Sequence, residues 1–192
     1  DERGRDSKRR AGWSGGRYVE VHRGTYTARA RNKRGSRKSG YAMMELELLS
    51  VLAENAGKAY PTEELNRMWE MILTNQFHDI LPGSSIHEVY EQTKKEYAEI
   101  AETSAKLIGE RLDALCAKKD ESVTVWNTLG HRRNDIVELG TNSAEALTDG
   151  TNVYPVQQTK DGAIVYAENL PSKGYQVLRP TSGAAAEAPF AV

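Results

Sequence analysis

Cysteine is almost absent from this sequence, which contains only Cys116 among 192 residues. One cysteine excludes an internal disulfide and a zinc cluster built from thiolates. Long apolar runs are missing too, and a membrane-spanning helix needs about 18 such residues. Residues 1–16 lack the apolar core that a signal peptide requires. These absences favour a cytoplasmic protein with no membrane partner, in which Cys116 packs within an apolar helical stretch.

The chain as a whole has no excess of charge, since 26 Lys and Arg residues oppose 27 Asp and Glu residues. The charge is unevenly distributed, however. Residues 1–40 hold 13 basic and 4 acidic residues, a net charge of +9, so the remainder carries −10. Such a basic arm is consistent with nucleic-acid binding, with a solvated edge, or with a surface that faces an acidic neighbouring domain. Nucleic-acid binding is the less favoured alternative, because Trp13, Tyr18 and Tyr26 form no stacking pattern.

The residue pattern divides the sequence into three regions: an irregular basic arm at 1–32, a helical region at 33–118 and a β region at 119–192. Within the arm, the alternation from Tyr18 to His22 predicts a short strand. The helical residues that follow offer this strand no partner. We therefore expect its sheet, and the domain that contains that sheet, to precede residue 1.

Apolar residues recur at helical spacing three times within the helical region, which predicts an antiparallel three-helix bundle. The first helix is expected at about 34–56, with an apolar face that includes Ala42, Leu46, Leu49, Val51, Leu52 and Ala53. The second is expected to start at an N-cap Thr62 and to end near 78–81, before Pro82-Gly83. Its expected buried stripe is Leu65, Met68, Trp69, Ile72 and Leu73, with Gln76 and Phe77 continuing the register.

The third helix is predicted from a capping box, in which Ser85 caps the helix and Glu88 reaches back to it. Its apolar positions run from Ile86 to Leu115. After Lys119 the period changes, and the segments VTVWN, DIVEL, AIVYA and GYQVLR alternate with turn sequences such as TDG and KDG. They predict antiparallel strands and the beginning of a β-sandwich domain. The expected fold class is therefore α+β, a helical bundle followed by this sheet.

The segment 75–86 reads NQFHDILPGSSI and places His78 and Asp79 side by side where the second helix is expected to end. Taken alone, His78 is a buried or capping imidazole more often than a metal ligand, because zinc needs about four ligands. Asp79 alone is equally consistent with a carboxylate that caps the following loop. The residue types at this point leave both interpretations open.

The same segment, preceded by RMWEMILT, closely resembles the helix-loop-helix of the family 38 glycoside hydrolases, the retaining α-mannosidases. The similarity is strongest with their cytosolic and vacuolar branch and its bacterial relatives. Upstream, YVEVHRGTYTARARNKRGSRKSGY resembles the passage from that family's catalytic domain into its three-helix middle domain. Downstream, VTVWNTLGHRRNDIVEL resembles the first strands of the family's C-terminal β region. The resemblance implies a part of a larger α-mannosidase that hydrolyses terminal α-mannosidic bonds in oligosaccharides and glycans.

The resemblance also implies roles for individual residues. His78 takes the position of one of four zinc ligands, and Asp79 takes that of a carboxylate that contacts the mannose hydroxyls. The other ligands, a His-x-Asp pair and a nucleophilic aspartate, belong to the family's N-terminal catalytic domain, and this sequence contains no His-x-Asp. Asn75 and Gln76 either orient the His78 imidazole or cap the helix end.

Two other functions stay open at this point. The helical region could act as a non-catalytic interaction module, or the basic arm could bind nucleic acid. Self-association as a homo-oligomer is also open, as are the identity of the metal, the linkage and the glycan that are recognised.

Overall fold

A computed structural model describes residues 29–116, 121–140 and 143–182. The chain forms two compact units, which divide between Ala114 and Leu115. The strand expected at 18–22, and the basic arm as far as position 28, lie outside the described residues.

Residues 29–116 form three helices, α1 Ala30–Glu54, α2 Thr62–Asn75 and α3 His87–Leu115. Their number and order confirm the prediction. α1 begins several residues before the expected start near 34, in a stretch with few apolar residues. Tertiary contacts explain the extra turn, because Asn32 is buried there and its Nδ2 donates to the carbonyl of Ile80 at 3.5 Å. None of the described helices combines the length and the hydropathy that crossing a bilayer requires.

The helical core takes side chains from all three helices. Its buried members are Met43, Leu46, Leu65, Met68, Ile72, Ile100 and Leu107. Burial of one such side chain stabilises the fold by about 1.5–3 kcal/mol. The amphipathic pattern therefore identified most of the residues that hold the three helices together.

Four residues that the apolar pattern assigned to buried positions are instead exposed, namely Val51, Leu73, Phe77 and Ile86. Val51 and Leu73 lie on helix faces that no described residues cover. Phe77 follows the end of α2, and Ile86 precedes the start of α3, so neither continues a helical stripe. Cys116, expected in a core, is half-buried just beyond α3.

Helix α1 approaches α3 closely at Gly35. A Cβ atom at this position would lie 2.5 Å from Cδ2 of Tyr97 and 2.9 Å from two further ring atoms. The absence of a side chain therefore permits the contact. Gly40, one and a half turns further along α1, has nothing within 4 Å of the same imagined atom.

The second unit contains six described strands, which form one sheet. In chain order they are β1 Val123–Asn127, β2 Arg133–Gly140, β3 Ala146–Thr148, β4 Val153–Thr159, β5 Gly162–Leu170 and β6 Gly174–Thr181. The order across the sheet is β1-β6-β3-β4-β5-β2. Every pairing is antiparallel, as the turn-punctuated pattern predicted. β1 also contacts β2 and β5, so the sheet curves back towards its far edge.

Strands β3 and β4 were not among the predicted segments. β3 has three residues, too few to show alternation, and β4 contains Pro155 and ends in a polar run. Their pairing positions Leu147 and Tyr154 in a core with Val125, Val165 and Leu178. This core, rather than local pattern, explains why both short segments adopt β structure.

Candidate functional site

His78 and Asp79 lie between α2 and α3 in residues 76–86, which we call the 76–86 loop. The sequence predicted that α2 would end within 78–81, but it ends at Asn75. The pair therefore follows the helix instead of forming its last turn. Two residues, Gln76 and Phe77, separate the end of α2 from the pair.

The early end of α2 has a local cause. The N–H groups of Gln76 and Phe77 donate to the carbonyls of Leu73 and Thr74, at 3.1 Å each. Each bond reaches back three residues, whereas the hydrogen bonds of an α-helix reach back four. Such contacts tighten the last turn of a helix and satisfy its final carbonyls. The chain can then leave the helix direction before it reaches Pro82.

Both candidate side chains are exposed. The His78 side chain is 74% accessible and that of Asp79 is 56% accessible, and Nε2 of the imidazole lies 3.1 Å from Oδ2 of the carboxylate. The other carboxylate oxygen of Asp79 accepts from the Ser84 hydroxyl at 3.1 Å. The Phe77 ring packs on the imidazole with centroids 4.2 Å apart. The interpretation of His78 as a buried core histidine is therefore wrong.

The backbone that carries these side chains is held by several hydrogen bonds. The Asp79 carbonyl accepts from the N–H of Ser84 at 3.1 Å and from the hydroxyl of Tyr90 at 3.3 Å. The same hydroxyl accepts from the N–H of Ser85 at 2.9 Å. Gly83 has a φ of 107°, a conformation that glycine adopts without a steric cost. The loop is thus closed by its own backbone and by a side chain of α3.

This arrangement differs from the predicted capping box. α3 begins at His87, two residues after Ser85, and the Ser85 N–H is bonded to Tyr90 rather than to Glu88. A hydrogen bond to the Tyr90 hydroxyl, five residues further on, has replaced the one that the sequence suggested. The exit from the loop is therefore held by the Tyr90 side chain, from the first turn of α3.

Helix α1 holds the opposite side of the loop. Nδ2 of Asn32 donates to the carbonyl of Ile80 at 3.5 Å, and Nζ of Lys33 donates to the carbonyl of Leu81 at 3.1 Å. These two carbonyls directly follow the His78–Asp79 pair. Side chains of two different helices therefore hold the backbone, while the candidate site residues stay open to solvent.

Asn75 and Gln76 make hydrogen bonds that are not directed at the imidazole. Asn75 is buried; its Oδ1 accepts from the hydroxyl of Thr93 at 2.8 Å and its Nδ2 donates to Glu96 at 2.6 Å. Gln76 is exposed, and its Nε2 donates to the hydroxyl of Ser36 at 3.2 Å. Asn75 thus links α2 to α3, and Gln76 links the start of the 76–86 loop to α1. Their predicted role in orienting the imidazole stays a prediction.

The described residues offer few side chains that could bind a metal ion together. Across residues 29–116, 121–140 and 143–182, no three His, Cys, Asp or Glu side chains converge in a way that could hold a metal ion. An exposed imidazole beside a carboxylate has the right chemistry for one or two contacts to a zinc ion. The described residues therefore fit such an ion as a partial ligand set and not as a complete shell.

Tyr90, Asn32 and Lys33 are the residues near the site that the sequence did not single out. Tyr90 was expected only as one more member of the apolar stripe of α3. The available signal was its hydroxyl, because a buried tyrosine normally finds a hydrogen-bond partner. For Asn32 and Lys33, which lie far from the loop in the sequence, no local pattern indicates the contact.

Comparison with known protein families identifies the helical region. The family model described as "Alpha mannosidase middle domain" matches residues 20–115. Alpha-mannosidase 2C1 of Homo sapiens is 36% identical over 138 residues, which cover 70% of this chain and 13% of that protein. An alpha-mannosidase of Saccharomyces cerevisiae is 46% identical over 82 residues, covering 41% of this chain and 8% of the relative. The chain thus spans a small fraction of the curated relatives that it matches.

Two solved structures are similar in fold. A glycosyl hydrolase family 38 protein from Enterococcus faecalis superposes with a TM-score of 0.68 at 15% identity, over 86% of this chain and 26% of that one. An alpha-mannosidase from Enterococcus faecalis V583 superposes with a TM-score of 0.57 at 16% identity, over 84% of this chain and 23% of that one. At these identities the likeness concerns the fold.

Proposed function

Because the chain belongs to the α-mannosidase middle-domain family, we propose that it forms one side of a composite active site in a zinc-dependent, retaining α-mannosidase. The parent protein would hydrolyse terminal α-mannosidic bonds in oligosaccharides and glycans, in the cytoplasm. One observation carries the proposal. His78 and Asp79 are exposed together on a loop whose backbone is held by two helices.

In this proposal His78 donates one imidazole nitrogen to the zinc ion. An exposed imidazole is available to a metal without the loss of any buried contact. A zinc ion, when bound, would anchor the ring hydroxyls of the sugar and favour the distorted ring that glycosidase chemistry requires. The remaining ligands would come from a catalytic domain of the same polypeptide, because the described residues supply only part of the set.

Asp79 has the complementary role of holding the substrate. Its carboxylate has about four lone-pair positions, and its described contacts, with His78 and Ser84, leave room for more. Hydrogen bonds from sugar hydroxyls to an ionised carboxylate are stronger than those to neutral acceptors. Asp79 would thereby fix the neighbouring hydroxyls of the mannose ring that the metal anchors.

A non-catalytic interaction module is the main alternative. Such a module would use its exposed apolar or cationic faces and would not need an imidazole and a carboxylate presented together. His78 and Asp79 are presented together on a loop whose backbone is held by α1 and α3, and this favours the composite active site. If the tests of His78 and Asp79 fail, the interaction module becomes the favoured function.

The test of the substrate role uses Asp79→Asn in the complete polypeptide that carries this chain. The amide keeps the shape of the side chain but removes the charge that accepts sugar hydroxyls. We expect kcat/KM for an aryl α-mannoside to fall by about 10- to 100-fold, which corresponds to one charged hydrogen bond of about 1.5–3 kcal/mol. The zinc content should stay close to that of the unaltered protein.

The matched control is Asp161→Asn, which makes the same change at an exposed position of the turn between β4 and β5. Its kinetics should equal those of the unaltered protein. If both kcat and KM are unchanged in Asp79→Asn, this carboxylate does not hold the substrate.

A further inference from the structure

The hydroxyl of Tyr90 joins the two sides of the 76–86 loop. It donates to the Asp79 carbonyl at 3.3 Å and accepts from the Ser85 N–H at 2.9 Å. A tyrosine hydroxyl has one proton to donate, so that proton is committed to the Asp79 carbonyl. Both partners are backbone groups, which means that Tyr90 acts on the path of the chain and not on a side chain.

Tyr90 has little freedom of its own. Its side chain is 6% accessible and lies in the first turn of α3, which packs in the helical core through Ile100 and Leu107. The guanidinium carbon of Arg29 lies 4.3 Å from the centre of the ring, a favourable cation–π distance. The position of the hydroxyl is therefore set by the helical unit and not by the loop.

The exposed side chains of His78 and Asp79 depend on the backbone for their direction. Neither is packed in a core, and the described contacts of both side chains lie within the loop itself. Ser84 also holds the Asp79 carbonyl, but it moves with the loop. Tyr90 instead connects this carbonyl to the helical core. An error of about 1 Å in the placement of active-site groups is enough to reduce a rate strongly.

We propose that Tyr90 is a positioning residue for the site. By holding the Asp79 carbonyl on α3, it sets the direction in which the imidazole of His78 and the carboxylate of Asp79 leave the loop. The inference rests on the proposed function, because it assumes that these two side chains meet a zinc ion and a sugar. It adds a residue that touches neither.

The test compares Tyr90→Phe with Tyr97→Phe. Tyr97 lies two turns further along the same helix, and within the described part of the chain its hydroxyl makes no hydrogen bond to the backbone of the 76–86 loop. Both changes remove one hydroxyl from α3 and keep the ring. In the 192-residue chain, amide hydrogen exchange should accelerate by about five- to tenfold at Ser85 in Tyr90→Phe, the equivalent of about one net hydrogen bond. In Tyr97→Phe it should not change there.

The second measurement is zinc affinity in the complete polypeptide, with His78→Ala as the reference. Tyr90→Phe should weaken zinc binding by about 10- to 100-fold, the usual effect of losing a group that orients a ligand. Tyr97→Phe should bind zinc as the unaltered protein does. These results together with the exchange data would support the positioning role.

The outcomes separate the two proposals. If His78→Ala loses zinc while Tyr90→Phe binds it as tightly as the unaltered protein, the positioning role is overturned and the proposed function stands. Equal losses in the two tyrosine variants would also overturn it, since a general loosening of α3 would explain them. If His78→Ala itself retains zinc, the proposed function and the inference fail together.

Discussion

Gly35 is the residue whose identity the packing of the helices constrains most directly. Replacement by alanine would place a methyl group 2.5 Å from the Tyr97 ring, so the ring or one of the two helices must shift. Overpacking of this kind costs about 1–3 kcal/mol. We expect Gly35→Ala to lower the free energy of unfolding by that amount, measured as the midpoint of urea unfolding of the 192-residue chain.

Gly40→Ala provides the matched control in the same helix. No atom lies within 4 Å of the new methyl group, and alanine favours helix over glycine by about 1 kcal/mol. This variant should therefore be more stable than the unaltered chain. If Gly35→Ala and Gly40→Ala both raised the midpoint of urea unfolding, the close approach of α1 to α3 at Gly35 would be contradicted.

Asp149 is the residue from which we predict a dependence of stability on pH. The N–H of Asn152 donates to its carboxylate at 2.7 Å, and the N–H of Thr151 and the hydroxyl of Tyr154 each donate at 2.8 Å. These bonds hold the pKa of Asp149 well below its usual range, although partial burial opposes them. The side chain thereby ties the β3–β4 turn to β6, where Nε2 of Gln176 donates to the same carboxylate at 2.7 Å.

A carboxyl group with a lowered pKa in the folded state stabilises the fold above its unfolded pKa of about 4. That contribution is lost as the pH falls from there towards the lower pKa of the folded state. We expect Asp149→Asn to reduce stability by about 1–3 kcal/mol at pH 7 and by less at pH 2, where part of the contribution has been lost. Urea unfolding at both values checks this, and a difference that does not change with pH would contradict the assigned hydrogen bonds.

At the scale of elements, Asn75 is a buried link between α2 and α3. Its side chain accepts from Thr93 and donates to Glu96. Asn75→Ala would leave the Thr93 hydroxyl without this partner, at a cost of about 1–3 kcal/mol in the free energy of unfolding. Gln76→Ala, at the exposed neighbouring position, should change it by less than about 0.5 kcal/mol. Equal effects in urea unfolding would show that the link contributes nothing.

The helices show how far the sequence could predict the elements. The stripe of Leu65, Met68 and Ile72 identified α2 and its buried face, because a repeated pattern averages over many residues. The end of α2 at Asn75 was missed, since it depends on two turn hydrogen bonds that leave no pattern. The start of α1 was missed for a related reason, as its first turn is fixed by contacts with the 76–86 loop.

The strands divide in the same way. β5 alternates along its length and was predicted, whereas β3 and β4 depend on partners that lie elsewhere in the chain. The candidate site followed from the resemblance of one string, which named His78 and Asp79. The groups that hold the backbone of that loop, above all the hydroxyl of Tyr90, could not be predicted, because they come from outside the string.

At the scale of the whole molecule, the chain covers 13% of the human relative that it matches. The helical unit exposes the side chains of His78 and Asp79, and no three metal-ligating side chains converge within the described residues. The account therefore depends on a second domain of the parent polypeptide, with which His78 would share a zinc ion. It does not require the 192-residue chain to have activity of its own.

The most direct measurement is the zinc content of the complete polypeptide with His78→Ala, purified in metal-free buffer. His87→Ala is the control, because this histidine is exposed at the start of α3. The account predicts that His87→Ala retains the zinc of the unaltered protein, while His78→Ala binds it at least about tenfold more weakly. Full zinc occupancy and unchanged affinity in His78→Ala would contradict the account.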